Sequence, residues 1–168
     1  GCDNLIFGTD ANGIADADER NIVGGIRQDD TAGGTECFEI YGVSHNLKIM
    51  GNYFGVGIDG ITPLANKRFM NCSDAGTTAQ IGSDGDGVRD DIEANIIANH
   101  FDYLFRFKGP TTALTFRRNS FFGNTGAFFN DPQNSFNGAL LGSSDPAVIS
   151  PVISNSTTRA ELIGWVPV

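Results

Sequence analysis

Apolar and polar residues alternate with a period of two in short runs along this chain. Phe38 and Ile40 share one face while Glu39 and Tyr41 take the other, and Leu47 and Ile49 oppose Lys48 and Met50. Further on, Phe105 and Phe107 stand against Arg106 and Lys108, and Leu114 and Phe116 against Thr115 and Arg117. Alternation over four or five residues predicts half-buried β-strands. The runs end at Gly42, Gly51-Asn52, Gly109, Asn119 and Gly123-Asn124. These residue types tolerate the left-handed backbone of a sharp corner.

The strands recur. A shift of 74 residues aligns Phe7–Val23 with Ile81–Ile97 without a gap, and seven of the 17 positions are identical. They are Gly8/Gly82, Asp10/Asp84, Gly13/Gly87, Asp16/Asp90, Glu19/Glu93, Asn21/Asn95 and Ile22/Ile96. A shift of 67 then lays Phe38–Gly42 over Phe105–Gly109, and Leu47, Ile49, Asn52 and Phe54 over Leu114, Phe116, Asn119 and Phe121. The lost seven residues fit a surface-loop insertion around Gln28–Gly34 in the first copy, where length change is cheap. The chain is thus expected to hold two copies of a unit of about 70 residues.

Short strands, tight corners and a repeat too long for a hairpin suit a chain wound into stacked coils, with Phe over Phe and Leu over Leu inside. An antiparallel sandwich would alternate too, but gives no reason for ungapped self-similarity. The expected fold is all-β, a right-handed parallel β-helix (solenoid) of about five or six coils. Coils are expected over residues 1–144, with recognisable copies at about 5–55 and 79–122. Residues 145–168 read as a C-terminal β tail, a cap on the coil edge or the start of a following module. Strand-like sequence begins at Asn4, so the chain is expected to start inside a longer array.

Several phrases carry a family resemblance. Ile81-Gly82-Ser83-Asp84, Glu19-Arg20-Asn21-Ile22-Val23, Ile49-Met50-Gly51-Asn52-Tyr53-Phe54-Gly55 and Asn119-Ser120-Phe121-Phe122-Gly123-Asn124 resemble units of bacterial right-handed parallel β-helix repeat proteins, the pectate-lyase-like solenoids and surface arrays. The resemblance spans about residues 4–155 and implies fold more than chemistry, because such coils serve lyases, glycosidases, adhesins and stalks. It departs where the usual Ser-Gly-Asn after the Asn-Ile strand becomes Gly24-Gly25-Ile26 and Ala98-Asn99-His100, which predicts differently shaped corners.

Composition narrows the function. A net charge of −9 with 11 basic residues argues against nucleic acid, which needs clustered Lys and Arg. No apolar run is long enough for a membrane span, and no signal peptide is expected in the residues at hand. Helix formers are scarce beside 22 Gly, and 13 Phe against one Trp suit an interior repeating one ring shape. Cys2, Cys37 and Cys72 lack metal-ligand spacing, leaving open one disulfide with a spare thiol, or three buried thiols.

The most specific chemical pattern is acidic. Asp84, Asp86, Asp90 and Glu93, echoed by Asp10, Asn12, Asp16 and Glu19, follow D-x-[DN]-G-x-x-D-x-x-E. That spacing overlaps positions three to twelve of a Ca2+ loop, where carboxylates converge on a hard cation and Gly permits the turn. The first ligand position is Gly82 or Gly8. The bland alternative is turn capping and solvation, with Asp90 or Asp91 capping a short helical turn. No catalytic residue is assigned. His45 and His100 read as corner or surface residues, and Cys37 has no indicated His partner. Arg106, Lys108 and Arg117 read as a solvated face pairing in part with Glu39.

The expected function is a non-catalytic structural or binding segment of a larger secreted, cell-surface or periplasmic bacterial protein, stiffened by Ca2+. Its expected partners are a polysaccharide or another surface or assembly protein. The alternatives are a polysaccharide lyase or glycoside hydrolase domain, and an accessory subunit of a multiprotein assembly.

Overall fold

The computed structural model describes residues 1–27, 35–73, 76–107, 113–125 and 129–130. Twelve strands and one helical turn lie within them. The first level comprises β1 (Ile6–Gly8), β2 (Ile22–Val23) and β3 (Glu36–Ile40), and the second β4 (Leu47–Met50), β5 (Tyr53–Phe54) and β6 (Arg68–Cys72). The third holds β7 (Thr78–Gly82), helix α1 (Asp90–Glu93), β8 (Ile96–Ala98) and β9 (Phe105–Phe107), and the fourth β10 (Ala113–Arg117), β11 (Ser120–Phe122) and β12 (Phe129–Asn130). The predicted alternating runs are strands, and all fall in parallel sheets. Each strand pairs with the third strand after it, giving three four-stranded sheets in the orders β1-β4-β7-β10, β2-β5-β8-β11 and β3-β6-β9-β12.

Register corrects the repeat. Phe7 lies opposite Ile49, Ile49 opposite Ile81, and Ile81 opposite Phe116. The step from Phe7 to Ile49 is 42 residues and the next is 32, together the 74 of the sequence match. The unit of about 70 residues therefore covers two levels, and its matched residues stand with one level between them. The reason is visible at the corner between the first and second sheets. It takes residues 9–21 and 83–95 at the odd levels but only 51–52 and 118–119 at the even ones. Phe38 and Phe105 do share a sheet, with Met70 between them in register.

All three sheets contribute to one core, including Ile49, Ile81 and Phe116 from the first, Phe54 and Ile97 from the second, and Phe69 and Phe105 from the third. One ring pair is stacked, Phe7 and Phe54 at 6.3 Å, but most meet otherwise. They meet edge to face in a chain: Phe7–Phe38 at 5.0 Å, Phe38–Phe54 at 5.6 Å, Phe54–Phe69 at 4.8 Å, Phe69–Phe105 at 5.2 Å and Phe105–Phe116 at 4.8 Å. Edge-to-face pairs add roughly 0.5–1.5 kcal/mol each beyond burial, because the positive ring edge meets the negative face. Met50, expected on the outer face, is buried too, under Gln80.

Asparagine side chains hold the corner. Asn21, Asn52, Asn95 and Asn119 form a column in which each residue donates both its main-chain N–H and its Nδ2 to the Oδ1 of the next. The spare Nδ2 hydrogen of Asn52 bonds Phe7 O at 2.8 Å, and those of Asn95 and Asn119 bond Ile49 O and Ile81 O at 2.8 Å. Asn52 and Asn119 were expected to supply left-handed backbone. The left-handed residues are instead their neighbours Gly51 and Arg118. Glycine is required one step away, at Gly8 (φ 103°) and Gly82 (φ 87°). A Cβ there would strike Met50 O and Arg117 O and the amides of Asn52 and Asn119.

A second column runs through Asn66, His100 and Asn124 at the next corner. Asn66 Oδ1 accepts Ile26 N–H at 3.0 Å, and Asn124 Oδ1 accepts His100 N–H at 2.9 Å. The departures at Gly25 and Asn99 do not alter the corner: both are left-handed, at φ 79° and 57°. The insertion at 28–34, Lys108, Gly109 and the tail from 131 lie outside the described residues.

Candidate metal loops

The long corners at the first and third levels share four matching hydrogen bonds. Asp10 N–H donates to Glu19 Oε2 at 3.0 Å, and Asp84 N–H to Glu93 Oε2 at 2.9 Å. Ala11 N–H reaches Thr9 Oγ1 and Gly85 N–H reaches Ser83 Oγ, both at 2.9 Å. Asx turns follow: Asn12 N–H to Asp10 Oδ1 and Asp86 N–H to Asp84 Oδ1 at 3.1 Å, then Ile14 N–H to Asn12 Oδ1 and Val88 N–H to Asp86 Oδ1 at 2.8 and 2.7 Å. Such bonds are why Asp and Asn dominate the segment: a short side chain replaces a strand partner for the backbone. The left-handed positions also coincide, at Ala11/Gly85, Gly13/Gly87 and Ala15/Arg89.

The folding-back brings carboxylates together. One oxygen each from Asp10, Asp16 and Glu19 lie within 4.8 Å of one another, and so do oxygens from Asp84, Asp86 and Asp90. Three converging carboxylates repel one another and suit a hard divalent cation. Asn12 and Glu93, also expected as ligands, lie in the same loops and carry bonds within them. Asn12 bonds Asp10 Oδ2 through Nδ2, and Glu93 is buried with Oε2 on Asp84 N–H. Burial pushes the Glu93 carboxyl above its ordinary range, against the Asp84 N–H bond, and the nearby Asp84 charge adds to the rise.

The deepest aspartates each face an arginine. Arg89 Nη2 lies 3.3 Å from Asp16 Oδ2, and Arg118 Nη2 lies 3.5 Å from Asp90 Oδ2. Asp16 Oδ2 takes no hydrogen bond, so that attraction is Coulombic. The Oδ1 atoms differ: Asp16 accepts Gly13 N–H at 3.0 Å, whereas Asp90 accepts Ser83 Oγ at 2.6 Å. Asp90 is the first residue of α1 rather than its cap, for Arg89 occupies the cap in left-handed conformation. Sequence reasoning missed both arginines. The Thr9/Ser83 match was visible in the self-alignment, but a pairing between levels has no local spacing to betray it.

The two histidines differ in burial. His45 is exposed and bonded to Asp3, but His100 is fully buried, with Nε2 3.8 Å from Cys37 Sγ. Cys37 therefore has a histidine neighbour that its sequence context did not indicate. The pair is neutral: burial pushes the Cys37 thiol up to about 12 and His100 down to about 4. All three cysteines are free and Cys2 is exposed, which departs from both alternatives left open above. Burial also raises Cys72 to about 12. A thiol-specific disulfide reagent at mildly alkaline pH is accordingly expected to label Cys2 at once, and Cys37 and Cys72 only on unfolding. Equal labelling rates for Cys2 and Cys37 would contradict the packing.

The basic residues are dispersed. Arg106 lies in the third sheet opposite Asn71, and it is Asn71 that donates to Glu39, at 2.9 Å. Arg117 lies in the first sheet with its guanidinium on Asp84 O. A different arginine straps three levels together. Arg68 holds Glu36 at 3.2 Å and Asp102 at 2.8 Å, with Tyr103 OH on Glu36 at 2.9 Å. Burial works to raise the Glu36 carboxyl, but the Thr35 N–H, Tyr103 and Arg68 outweigh it and hold it low. Two carboxylates committed to one guanidinium are not poised as an acid–base pair.

Comparison with protein-family models, with curated proteins and with solved structures finds no match, which leaves the loop geometry to carry the function. Among the described residues, no helix is long and apolar enough to cross a membrane.

Proposed function

We propose that this chain is part of a right-handed parallel β-helix, a structural or binding segment of a larger secreted or surface-associated bacterial protein, whose paired loops are stiffened by Ca2+. The observation that carries this reading is the duplication of the acidic loops, with four matching hydrogen bonds, two levels apart on parallel sheets in which each strand pairs with the third one on. A wound chain delivers the same corner to the same wall at regular intervals, and repetition of a loop with its carboxylates suits reinforcement of an extended scaffold. Its partners would be a polysaccharide or a neighbouring surface protein.

Ca2+ would draw its ligands from Asp10, Asp16 and Glu19 in one loop and from Asp84, Asp86 and Asp90 in the other. The cation would relieve carboxylate repulsion now offset in part by Arg89 and Arg118. The test is calorimetric titration with Ca2+ after chelation, followed by thermal melts. Saturation at a hundred times Kd stabilises by about 2.7 kcal/mol per site, worth about 5–10 °C in a chain of this size. Asp84→Asn is expected to remove one site and leave the other. Absence of heat together with an unmoved melting curve would refute the calcium assignment.

A further inference from the structure

The two loops differ at one chemically labile point. Asn12 and Gly13 form an exposed Asn–Gly pair, where the twin loop has Asp86 and Gly87. We infer that Asn12 is a self-modification site, converted in the folded protein to aspartyl and isoaspartyl residues through a cyclic imide.

Three contacts favour the reaction. Asn12 Oδ1 accepts Ile14 N–H at 2.8 Å, closing an Asx turn across the Gly13 peptide. The same bond polarises the side-chain carbonyl, as a hydrogen-bond donor does for a developing oxyanion. Gly13 N–H is bonded to Asp16 Oδ1 at 3.0 Å, which fixes the attacking nitrogen and sets a carboxylate within reach to take up its proton as the N–Cγ bond forms. Gly13 has no side chain to obstruct the approach, and a Cβ there would meet nothing within 4 Å, so the loop leaves room for the imide. Solvent reaches both residues.

In the first step the Gly13 nitrogen bonds to Asn12 Cγ while its proton passes to the Asp16 carboxylate, which hands it on to hydroxide. The Cγ–Nδ2 bond breaks, and Nδ2 leaves as ammonia after taking a proton from water. Water then opens the imide at either carbonyl, giving aspartate or isoaspartate. Overall an amide and water become a carboxylate and ammonium, and nothing is oxidised or reduced. The aspartyl product places a carboxylate where the twin loop has Asp86. The twin's Asp86–Gly87 lacks the assisting arrangement, since Asp90 Oδ1 is bonded to Ser83 Oγ. This inference does not rest on the calcium assignment.

The experiment incubates the whole chain, with chelator present, folded and in urea, in mildly alkaline buffer. Peptide mass mapping follows Asn12 and, as an internal reference, Asn137 of the Asn137–Gly138 pair, which has Leu141 where Asn12 has Asp16. Asn12 is expected to convert several-fold faster folded than in urea, where it should match Asn137. Asp16→Asn is expected to slow the folded rate several-fold and leave the urea rate unchanged. A folded rate equal to or below the urea rate overturns the inference, whatever the variant's stability.

Discussion

Replacing Asn95 with leucine is expected to lower the melting temperature by about 10 °C, corresponding to about 3–4 kcal/mol. Asn95 is wholly buried, and its side chain serves three neighbours. It accepts the N–H of Asn52 at 2.9 Å, donates to Ile49 O at 2.8 Å and donates to Asn119 Oδ1 at 2.8 Å. Leucine has nearly the same shape, so little cavity forms and the loss isolates the polar bonds. Each buried group left without a partner costs about 1–3 kcal/mol, because it has lost water without regaining a bond. The position within the column matters as much as the residue type. Asn21, at the partly exposed end, regains solvent when its neighbour is lost, so Asn21→Ala is expected to cost about 1 kcal/mol or less. Urea or thermal unfolding of the two variants checks the gradient. Equal costs at Asn21 and Asn95 would mean that the column is not a cooperative buried structure.

The sheets and the column were unequally legible in the chain. Alternation at Phe38–Ile40 and Leu47–Ile49 reads directly as strand, because a pleated strand places successive side chains on opposite faces. The self-match at 74 residues was equally plain, yet it skipped a level. Long corners at the first and third levels resemble each other in sequence, and two-residue corners at the second and fourth carry too few positions to register. Val23, Phe54, Ile97 and Phe121, stacked in the second sheet, likewise differ between neighbouring levels and share only their apolar character. A core asks for volume rather than for a particular letter. The asparagines were visible but assigned the wrong duty: a turn residue and a buried side-chain ladder leave the same letter. What separates them is burial, which depends on the levels above and below.

The acidic loops were the most legible part of the candidate site, because each is local. Asx turns, the left-handed glycines Gly13 and Gly87 and the closing glutamate all act within a dozen residues, and the pattern survives duplication. Arg89 on Asp16, Arg118 on Asp90 and His100 beside Cys37 were illegible for the opposite reason. Those partners come from other levels, and the offset between levels varies with the corners.

His100 leads to the second large effect. Lowering the pH from about 6.5 to about 4 is expected to destabilise the protein by about 3 kcal/mol through this residue alone. The imidazole is fully buried, and burial depresses it from 6.5 to about 4, against the opposing pull of its bond to Asn124. The unfolded chain therefore binds a proton on His100 at a pH where the folded chain does not. Stability from this group is complete above the unfolded value, declines as pH falls through the window, and is fully lost near the folded value. Glu93 works in the other sense. Its folded carboxyl is raised, so protonation favours the folded state as the pH falls. A variant that changes only His100 separates the two. Asparagine is the natural replacement, because Asn66 and Asn124 occupy the positions on either side in the same column. His100→Asn is expected to retain the main-chain bond to Asn124 and to leave the melting temperature near neutral pH within a few degrees. Its stability should then decline less steeply than that of the parent between pH 6.5 and 4. Parallel curves for the two proteins across that window would show that the imidazole titrates as it does in the unfolded chain, and that the second column admits water where the packing closes it off.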